Sequence, residues 1–511
     1  MHRPVIFCLL ALAVTPSPDA LAKGRPNILF IYTDDQSYRT VSCYPEAYKF
    51  AQTPNIDKLA NEGVRFDTVY TTCPVCSPAR GSVITGLYPH AHGISSNAHN
   101  LGGSVHELPD GPNLLPRQMA SLGYQSGYTG KWHLGNGKSE AFGVTVNPAI
   151  PTTRGFVGQD FSGHGGGGFG YDAYHSFLKE RGLKHEVKPW GEPTQQILPT
   201  GELAGPAEST VPYFLADHTC QLIDQFAASD DPYFIWHNFW GPHGPYYAPE
   251  EYVDRYRDVE IPPWPNYDWP SRSTAGPHQV KIHPDHERLS WDDWATAIRY
   301  YYAFTTLIDE QIGRIYDHLE KTGELENTVI IFTSDHGETA GSHGGLTDKG
   351  WQHFEEIQRI PMVVRFPDGR GTGQTRQGLI SLADVYPTIL DLAGNNTPSA
   401  NVHGQSVVPL VNDPSAPWRD HVVVEFGGVN NLAATLRTLI KDNHKFGYSA
   451  GFPDQLYNLA SDPHETTNLA ESPLHRDRLN DLRQTLSDWM ATNGDPVRGI
   501  YNQGLQYHLR I

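Results

Sequence analysis

The sequence predicts an α/β protein: a large mixed sheet, mostly parallel, sandwiched by helices, with a smaller C-terminal α+β unit. Three observations carry that expectation. Residues 27–35, 124–133, 233–243 and 328–336 are apolar, β-rich runs that each stop at a polar cluster. Runs such as Val329-Ile-Ile-Phe332 are apolar at every position, which suits strands covered on both faces. Helical stretches lie between the runs, and alternating strand and helix implies a parallel sheet. In such sheets ligands gather beyond the carboxyl ends of the strands, where these polar clusters fall.

The chain opens with Arg3, an apolar run from Val5 to Val14, and the small-residue site Ala20-Leu21-Ala22. That is the layout of a secretory signal peptide, residues 1–22, and it predicts an exported protein, periplasmic or secreted, beginning near Lys23. The apolar run is about half the ~20 residues a membrane span needs, and no later segment reaches that length, so no transmembrane segment is expected. No cysteine follows the run, which argues against a lipoprotein. The net charge of −19 makes nucleic acid a poor partner. An anionic substrate would need cationic residues gathered locally. Of five cysteines, Cys8 leaves with the signal, and Cys43, Cys73, Cys76 and Cys220 are too few for a disulfide scaffold.

The first strand ends in Asp34-Asp35, and the fourth in Asp335-His336. Hard divalent cations such as Ca²⁺ and Mg²⁺ take several oxygen ligands, which carboxylates converging from two strands would supply. Taken singly, either pair is more often a helix cap or a loop charge; their joint position at one sheet edge favours the metal. Lys131 and His133 follow the second strand, His243 the third, and Lys349 lies beyond the fourth. On an extended stretch Lys131 and His133 would point the same way. Cations beside a metal make a pocket for a tetrahedral anion, which reconciles an acidic chain with an anionic substrate.

Residues 162–172, SGHGGGGFGYD, are too glycine-rich to hold a packed conformation unaided. Residues 262–289, rich in proline, histidine and tryptophan, also read as a loop; the plain reading of both is a surface connection, and since loops this long are often functional a substrate-facing role stands beside it. Residues 291–321 form the clearest helix, with Ser290 as N-cap, Asp293 at the box position and Gly323 as the stop. Tyr301, Ile308, Ile312, Ile315 and Leu319 mark its buried face. Beyond Val411 the pattern changes: a strand over 421–425, turns at Gly427-Gly428 and Asp442-Asn443, and a last helix from about Pro473 to Met490. The expected division is therefore a catalytic domain over 23–410 and a C-terminal α+β subdomain over 411–511.

The stretch CPVCSPARGSVITG, residues 73–86, holds a C-x-x-C pair. A redox dithiol would sit in a thioredoxin-like module of about 100 residues, and a zinc knuckle would need a second ligand pair of similar spacing; neither is present. What remains is Cys76-x-Pro78-x-Arg80 followed by Thr85-Gly86. This resembles the signature of the formylglycine-dependent (type I) sulfatases, of the alkaline-phosphatase-like superfamily. The resemblance runs on through Asp34-Asp35, Gly130-Lys131-Trp132-His133-Leu134-Gly135, Pro242-His243, Ser334-Asp335-His336-Gly337, Lys349-Gly350, and the late Leu456-Tyr457-Asn458-Leu459, Asp462-Pro463-His464-Glu465 and Asn468-Leu469-Ala470.

The resemblance implies the alkaline-phosphatase-like fold and a role for each position. Cys76 would be oxidised to formylglycine by a formylglycine-generating or sulfatase-maturating enzyme. Asp34, Asp35, Asp335, His336 and modified Cys76 would bind one Ca²⁺. Arg80 would hold the aldehyde hydrate, Lys131, His243 and Lys349 would grip the sulfate, and His133 would act as base. One hydroxyl of the hydrate attacks sulfur, and the second, once deprotonated, expels sulfate; a serine would be trapped as its sulfate ester. Two positions depart from the family pattern: His336 stands where asparagine is common, a softer ligand than Ca²⁺ prefers, and Ala79 where serine is common.

The expected function is an exported sulfatase for sulfate monoesters, with a sulfated poly- or oligosaccharide as substrate. Aromatics between Tyr233 and Trp294 are candidates for stacking on sugar rings, though most aromatics in a chain this long are core. Two alternatives remain at this level: a phosphate or phosphonate ester hydrolase of a sister family, and an inactive glycan-binding protein in which Cys76 stays a thiol or pairs with Cys73.

Overall fold

Strand Asn27–Asp34 is buried at every residue, and alternation along it divides the core. Leu29 and Ile31 face one apolar cluster with Ile330 and Phe332 of strand Thr328–Ser334. Ile28, Phe30 and Tyr32 face a second cluster with Val329 and Ile331. Helices Pro54–Glu62, Val211–Phe226 and Trp291–Thr322 cover the first face. Helices Cys76–Thr85, Leu115–Ser121 and Val385–Leu392 cover the second. Each fully buried aliphatic or Phe side chain in these layers contributes about 1.5–3 kcal/mol against the entropy of ordering the chain. This computed structural model describes residues 24–98, 105–135, 140–141, 144–145, 148–190, 199–268, 289–395, 401–429 and 432–508.

Nine strands make the main sheet, in the order Gln374–Arg376, Val64–Tyr70, Arg359–Arg365, Thr328–Ser334, Asn27–Asp34, Tyr233–Pro242, Gln125–Gly130, Val157–Gly158, with Ile380–Ser381 beside Val64–Tyr70. All pairings are parallel except those of Arg359–Arg365, which runs antiparallel to both neighbours. The four strands expected from sequence are adjacent at the centre, so their polar ends meet at one edge.

Helix Trp291–Thr322 begins with the anticipated capping box between Ser290 and Asp293 and ends at Gly323 in the left-handed conformation. Beyond the main sheet, strands His421–Val429, Leu432–Lys441, His444–Ser449 and Gln455–Asn458 form an antiparallel sheet. Leu479, Leu482, Leu486 and Met490 of helix Arg476–Asn493 pack on its Val423, Leu439, Phe446 and Leu456. The expected turn at Asp442-Asn443 is there, both residues at positive φ. The expected turn at Gly427-Gly428 is not. Both glycines lie inside strand His421–Val429 at a register shift after Phe426, and a Cβ on Gly427 would come within 2.9 Å of the Ser95 carbonyl oxygen. They serve a bulge and a close approach rather than a reversal.

Several elements escaped sequence reading, among them strands Val64–Tyr70 and Arg359–Arg365 of the main sheet, the three-stranded sheet of Tyr246–Pro249, Thr200–Ala204 and Glu186–Pro189, and helix Arg498–His508. The signal segment and most of the 262–289 loop lie outside the described residues. Asp172, assigned to the glycine-rich loop, instead starts helix Asp172–Glu180. Among the described residues, no helix is long and apolar enough to cross a membrane.

Candidate active site

The signature folds as a buried helix whose first residue is Cys76. Pro78 falls in the first turn, where its missing N–H costs nothing. Thr85 donates back to the Gly81 carbonyl at 2.7 Å, and Gly86 closes the helix in the left-handed region with φ 71°. Thus Pro78 opens the helix and Thr85-Gly86 ends it, leaving Cys76 at the N-terminus beside the strand ends.

Around Cys76 the other nine expected positions mostly converge. Lys131 Nζ and His336 Nε2 each stand 3.5 Å from Cys76 Sγ. Lys131 also donates to Asp34. Lys349 Nζ is 2.8 Å from both oxygens of Asp35, and His243 Nε2 is 3.8 Å from that carboxylate. Arg80 reaches Asp335 at 3.3 Å, the Lys131 carbonyl at 3.0 Å and Asn238 Oδ1 at 2.9 Å. Three carboxylates thus face three permanent cations inside the protein.

His133 is placed differently from expectation. The strand ends at Gly130, which has φ 90°, and His133 has φ 55°, so the chain here is not extended and the same-side argument for Lys131 and His133 fails. His133 is buried, with its ring 4.9 Å from that of His164, which in turn lies 5.0 Å from His243. His164 belongs to the glycine-rich loop.

Ligand atoms of Asp34, Asp35, Cys76 and His336 lie within 4.8 Å of one another, all four residues buried. Asp335 is not in that set; its Oδ1 accepts the backbone N–H groups of Asp35 and His336, at 3.1 and 2.9 Å, while Oδ2 faces Arg80. Asp34 Oδ1 is buried with no hydrogen-bond partner. A divalent cation fits this cradle: an orphaned carboxylate oxygen, a second carboxylate and one imidazole within mutual reach.

Charge in the cluster is unevenly held. Burial opposes ionisation of Asp34, but Lys131, His243 and Arg80 outweigh it and hold its carboxyl well below the usual range. Burial and the neighbouring Asp34 push Asp335 up to about 7. Burial, then Asp34, pushes the Cys76 thiol up, with Lys131 and Lys349 opposing. Cys73 and Cys76 are free thiols, and Cys73 lies in a separate apolar cluster with Val75, Trp351 and Phe426.

Sequence reading missed three residues at this site. Asn238 and His164 are in place beside Arg80 and between the two histidines. Glu338 accepts from the backbone N–H groups of Ala340 and Asp348, at 3.0 and 2.6 Å, and so shapes the loop that carries Lys349. Asn238 had a signal: with His237 it interrupts the apolar run Tyr233-Phe-Ile-Trp-His-Asn-Phe239. His164 lay in the glycine-rich stretch that the sequence singles out as a loop, without being singled out itself, and Glu338 had no signal.

At the carboxyl edge of its mostly parallel centre, the sheet gathers an acidic cradle and the cationic side chains Lys131, Lys349 and Arg80 around Cys76, and the family match places the chain in the alkaline-phosphatase-like superfamily. The sequence profile of the sulfatase family matches residues 26–395, and that of the C-terminal region of N-sulphoglucosamine sulphohydrolase matches residues 341–492. The chain belongs to the sulfatase family and is a sulfuric ester hydrolase. An uncharacterized sulfatase of Escherichia coli, YidJ, is 28% identical over 93% of this chain and 89% of its own length. An N-acetylglucosamine-6-O-sulfatase of Bacteroides thetaiotaomicron is 26% identical over 94% and 88%. The crystal structure of a phosphonate monoester hydrolase of Agrobacterium radiobacter superposes with a TM-score of 0.76 at 24% identity, covering 92% of this chain and 96% of that one, which speaks to the fold alone.

Proposed function

We propose that the protein is an exported sulfatase that cleaves sulfate monoesters of a poly- or oligosaccharide, using formylglycine made from Cys76 and one bound Ca²⁺. The observation that carries this reading is the position of Cys76: first residue of a buried helix, 3.5 Å from both Lys131 Nζ and His336 Nε2 and walled by Asp34 and Asp35. The catalytic domain would span 23–410 and the C-terminal subdomain 411–511.

Asp34, Asp35, Asp335, His336 and residue 76 would hold the cation, which when bound lowers the pKa of a hydroxyl at its surface and screens the sulfate charge. The formylglycine, made by a maturating enzyme during synthesis, supplies two geminal hydroxyls in its hydrated form. Lys131, His243 and Lys349 bring three nitrogen donors to the sulfate oxygens, and the first and last are at hand because they already pair with the acidic pair. Arg80, fixed by Asn238 and the Lys131 carbonyl, holds residue 76 from beneath. His133 takes the proton that frees sulfate. A carbohydrate substrate is favoured by the kinship with an N-acetylglucosamine-6-O-sulfatase over nearly the whole chain.

Two measurements test this together. Mass spectrometry of the residue-76 peptide should find it lighter by about 18 Da than the thiol form, the difference between –CH₂SH and –CHO. Sulfate release from a panel of sulfated saccharides should exceed release of phosphate from an aryl phosphate. An unmodified thiol with no turnover would favour the glycan-binding alternative, and preference for the phosphate ester would favour the sister hydrolases.

A further inference from the structure

The C-terminal run Asp462-Pro463-His464-Glu465 meets the main sheet's edge through its last residue. Glu465 is buried and holds a left-handed conformation, φ 52°, which a non-glycine residue keeps only where its surroundings impose it. Its Oε2 accepts the backbone N–H of Glu355 at 2.7 Å, and its Oε1 lies 2.8 Å from Lys445 Nζ. Lys445, on strand His444–Ser449, pairs in turn with Glu355 Oε1 at 2.7 Å. Two charged side chains from the C-terminal region thus grip one residue upstream of it.

Glu355 opens the helical turn Glu355–Gln358, which is buried throughout. A helix start leaves its first N–H groups without partners, and Phe354 at the N-cap gives no side-chain hydrogen bond, so Glu465 supplies the missing acceptor. The turn leans on both acidic strand ends. Gly337 N–H donates to the Ile357 carbonyl at 3.0 Å, and a Cβ on Gly337 would sit 1.9 Å from the Glu356 carbonyl oxygen. The backbone beside His336 therefore cannot shift unless the turn shifts with it. Toward the other strand end, Glu356 Oε1 accepts from Arg39 Nη1 at 2.8 Å, four residues after Asp35.

We propose that Glu465 is a positioning residue: by accepting the Glu355 N–H it holds the turn Glu355–Gln358 against Gly337 and so keeps His336 beside Cys76. The proposal rests on the sulfatase reading for its effect on turnover, whereas the held backbone is measured independently of activity. Burial, reinforced by Glu355 and Glu356, pushes Glu465 up to about 8 against the pull of Lys445. A neutral amide of the same length is therefore a close substitute.

Two small substitutions separate reach from carboxyl chemistry. Glu465→Gln keeps an acceptor oxygen at the same distance, whereas Glu465→Asp keeps the carboxyl but withdraws it by about one carbon–carbon bond. Leu486→Ala serves as the reference for general loosening, because Leu486 packs with Phe446 on the sheet face opposite Lys445. Amide exchange of peptide 334–340, read by mass, is measured with kcat for sulfate release and the unfolding temperature. Losing one hydrogen bond corresponds to roughly fivefold to tenfold. Glu465→Asp should show exchange faster, and kcat lower, by that factor. Glu465→Gln should stay within about twofold of wild type in both. Leu486→Ala should do the same despite a lower unfolding temperature. Wild-type exchange in Glu465→Asp, equal damage in Glu465→Gln, or equally fast exchange of 334–340 in Leu486→Ala overturns the assignment. Fast exchange with wild-type kcat overturns it too, since the held backbone would then not serve turnover. A wild-type protein that releases no sulfate overturns the sulfatase reading, and the exchange of the three variants still decides whether Glu465 holds the backbone beside His336.

Discussion

Gly130 passes so close to Asn238 that a Cβ on it would sit 1.8 Å from the Asn238 carbonyl oxygen. The contact joins the end of one strand to the interior of its neighbour Tyr233–Pro242 at the point where Lys131 leaves the sheet, and Lys131 N–H donates to that same carbonyl at 3.3 Å. Gly130→Ala must push the strands apart and also strain a residue at φ 90°. The expected cost is at least about 2 kcal/mol of stability, with a loss of sulfate release beyond what unfolding explains, because Lys131 moves. Urea unfolding and steady-state assays on the same preparation check both parts; normal stability with normal activity would mean the strands yield freely.

Cys76→Ser should fold normally, since the change is one atom in a buried helix start, yet stop after one turnover. With a single hydroxyl and no second one to expel sulfate, the serine stays sulfated, and its peptide should gain about 80 Da, the mass of SO₃. Sustained turnover near the wild-type rate would remove the aldehyde mechanism. Cys73→Ser, in a cluster apart from the site, should keep most activity and lose about 1–2 kcal/mol of stability for a hydroxyl placed among apolar neighbours.

Chelation should abolish activity and lower the unfolding temperature, because Asp34 and Asp35 lose a shared counter-charge. Ca²⁺ should restore both better than Zn²⁺, since carboxylate oxygens outnumber the single imidazole. His336→Asn should retain a working site with a sharper preference for Ca²⁺ over Zn²⁺. Competitive metal titrations followed by activity and calorimetry decide this; rescue by Zn²⁺ alone would refute the calcium assignment.

His90 ties the segment after the signature helix to the C-terminal sheet, its Nδ1 2.5 Å from Glu425 and its Nε2 2.9 Å from the Asn493 carbonyl. Burial opposes its charge, but the bond to Glu425 prevails and raises its pKa above the ordinary value. A histidine raised on folding stabilises fully below its unfolded pKa of about 6.5, and that contribution fades as pH rises through the folded value. The stability gap between wild type and His90→Gln should therefore be larger at pH 6 than at pH 9. Urea midpoints at the two pH values measure it, and a constant gap would show that the pair is not charged.

The sheet centre and the acidic ends of its strands were legible in the sequence because the two central runs, Ile28–Tyr32 and Val329–Phe332, carry no charged residue until they stop, so Asp34 and Asp335 announced the edge. Lys131, His243 and Lys349 were legible only as company for those carboxylates. The orientation of His133 was not, since positive φ at a non-glycine residue leaves no mark on composition. Glu338 was hidden among loop charges, and the small sheet around Thr200–Ala204 has strands too short to show a period. Gly427 and Gly428 misled because a bulge and a turn call on the same residue.

Strand Asn27–Asp34 lies between Tyr233–Pro242 and Thr328–Ser334, partners made some 200 and 300 residues later. At roughly 5–20 residues per second, the ribosome needs on the order of tens of seconds after Cys76 to complete them. Until then the edge that seals Cys76 does not exist, and afterwards the residue is out of reach of any large catalyst. If Cys76 is converted to formylglycine as proposed, the order of the strands sets a deadline for that conversion, and chains that fold unmodified would form a permanently silent fraction, visible as a specific activity that depends on how fast the protein was made.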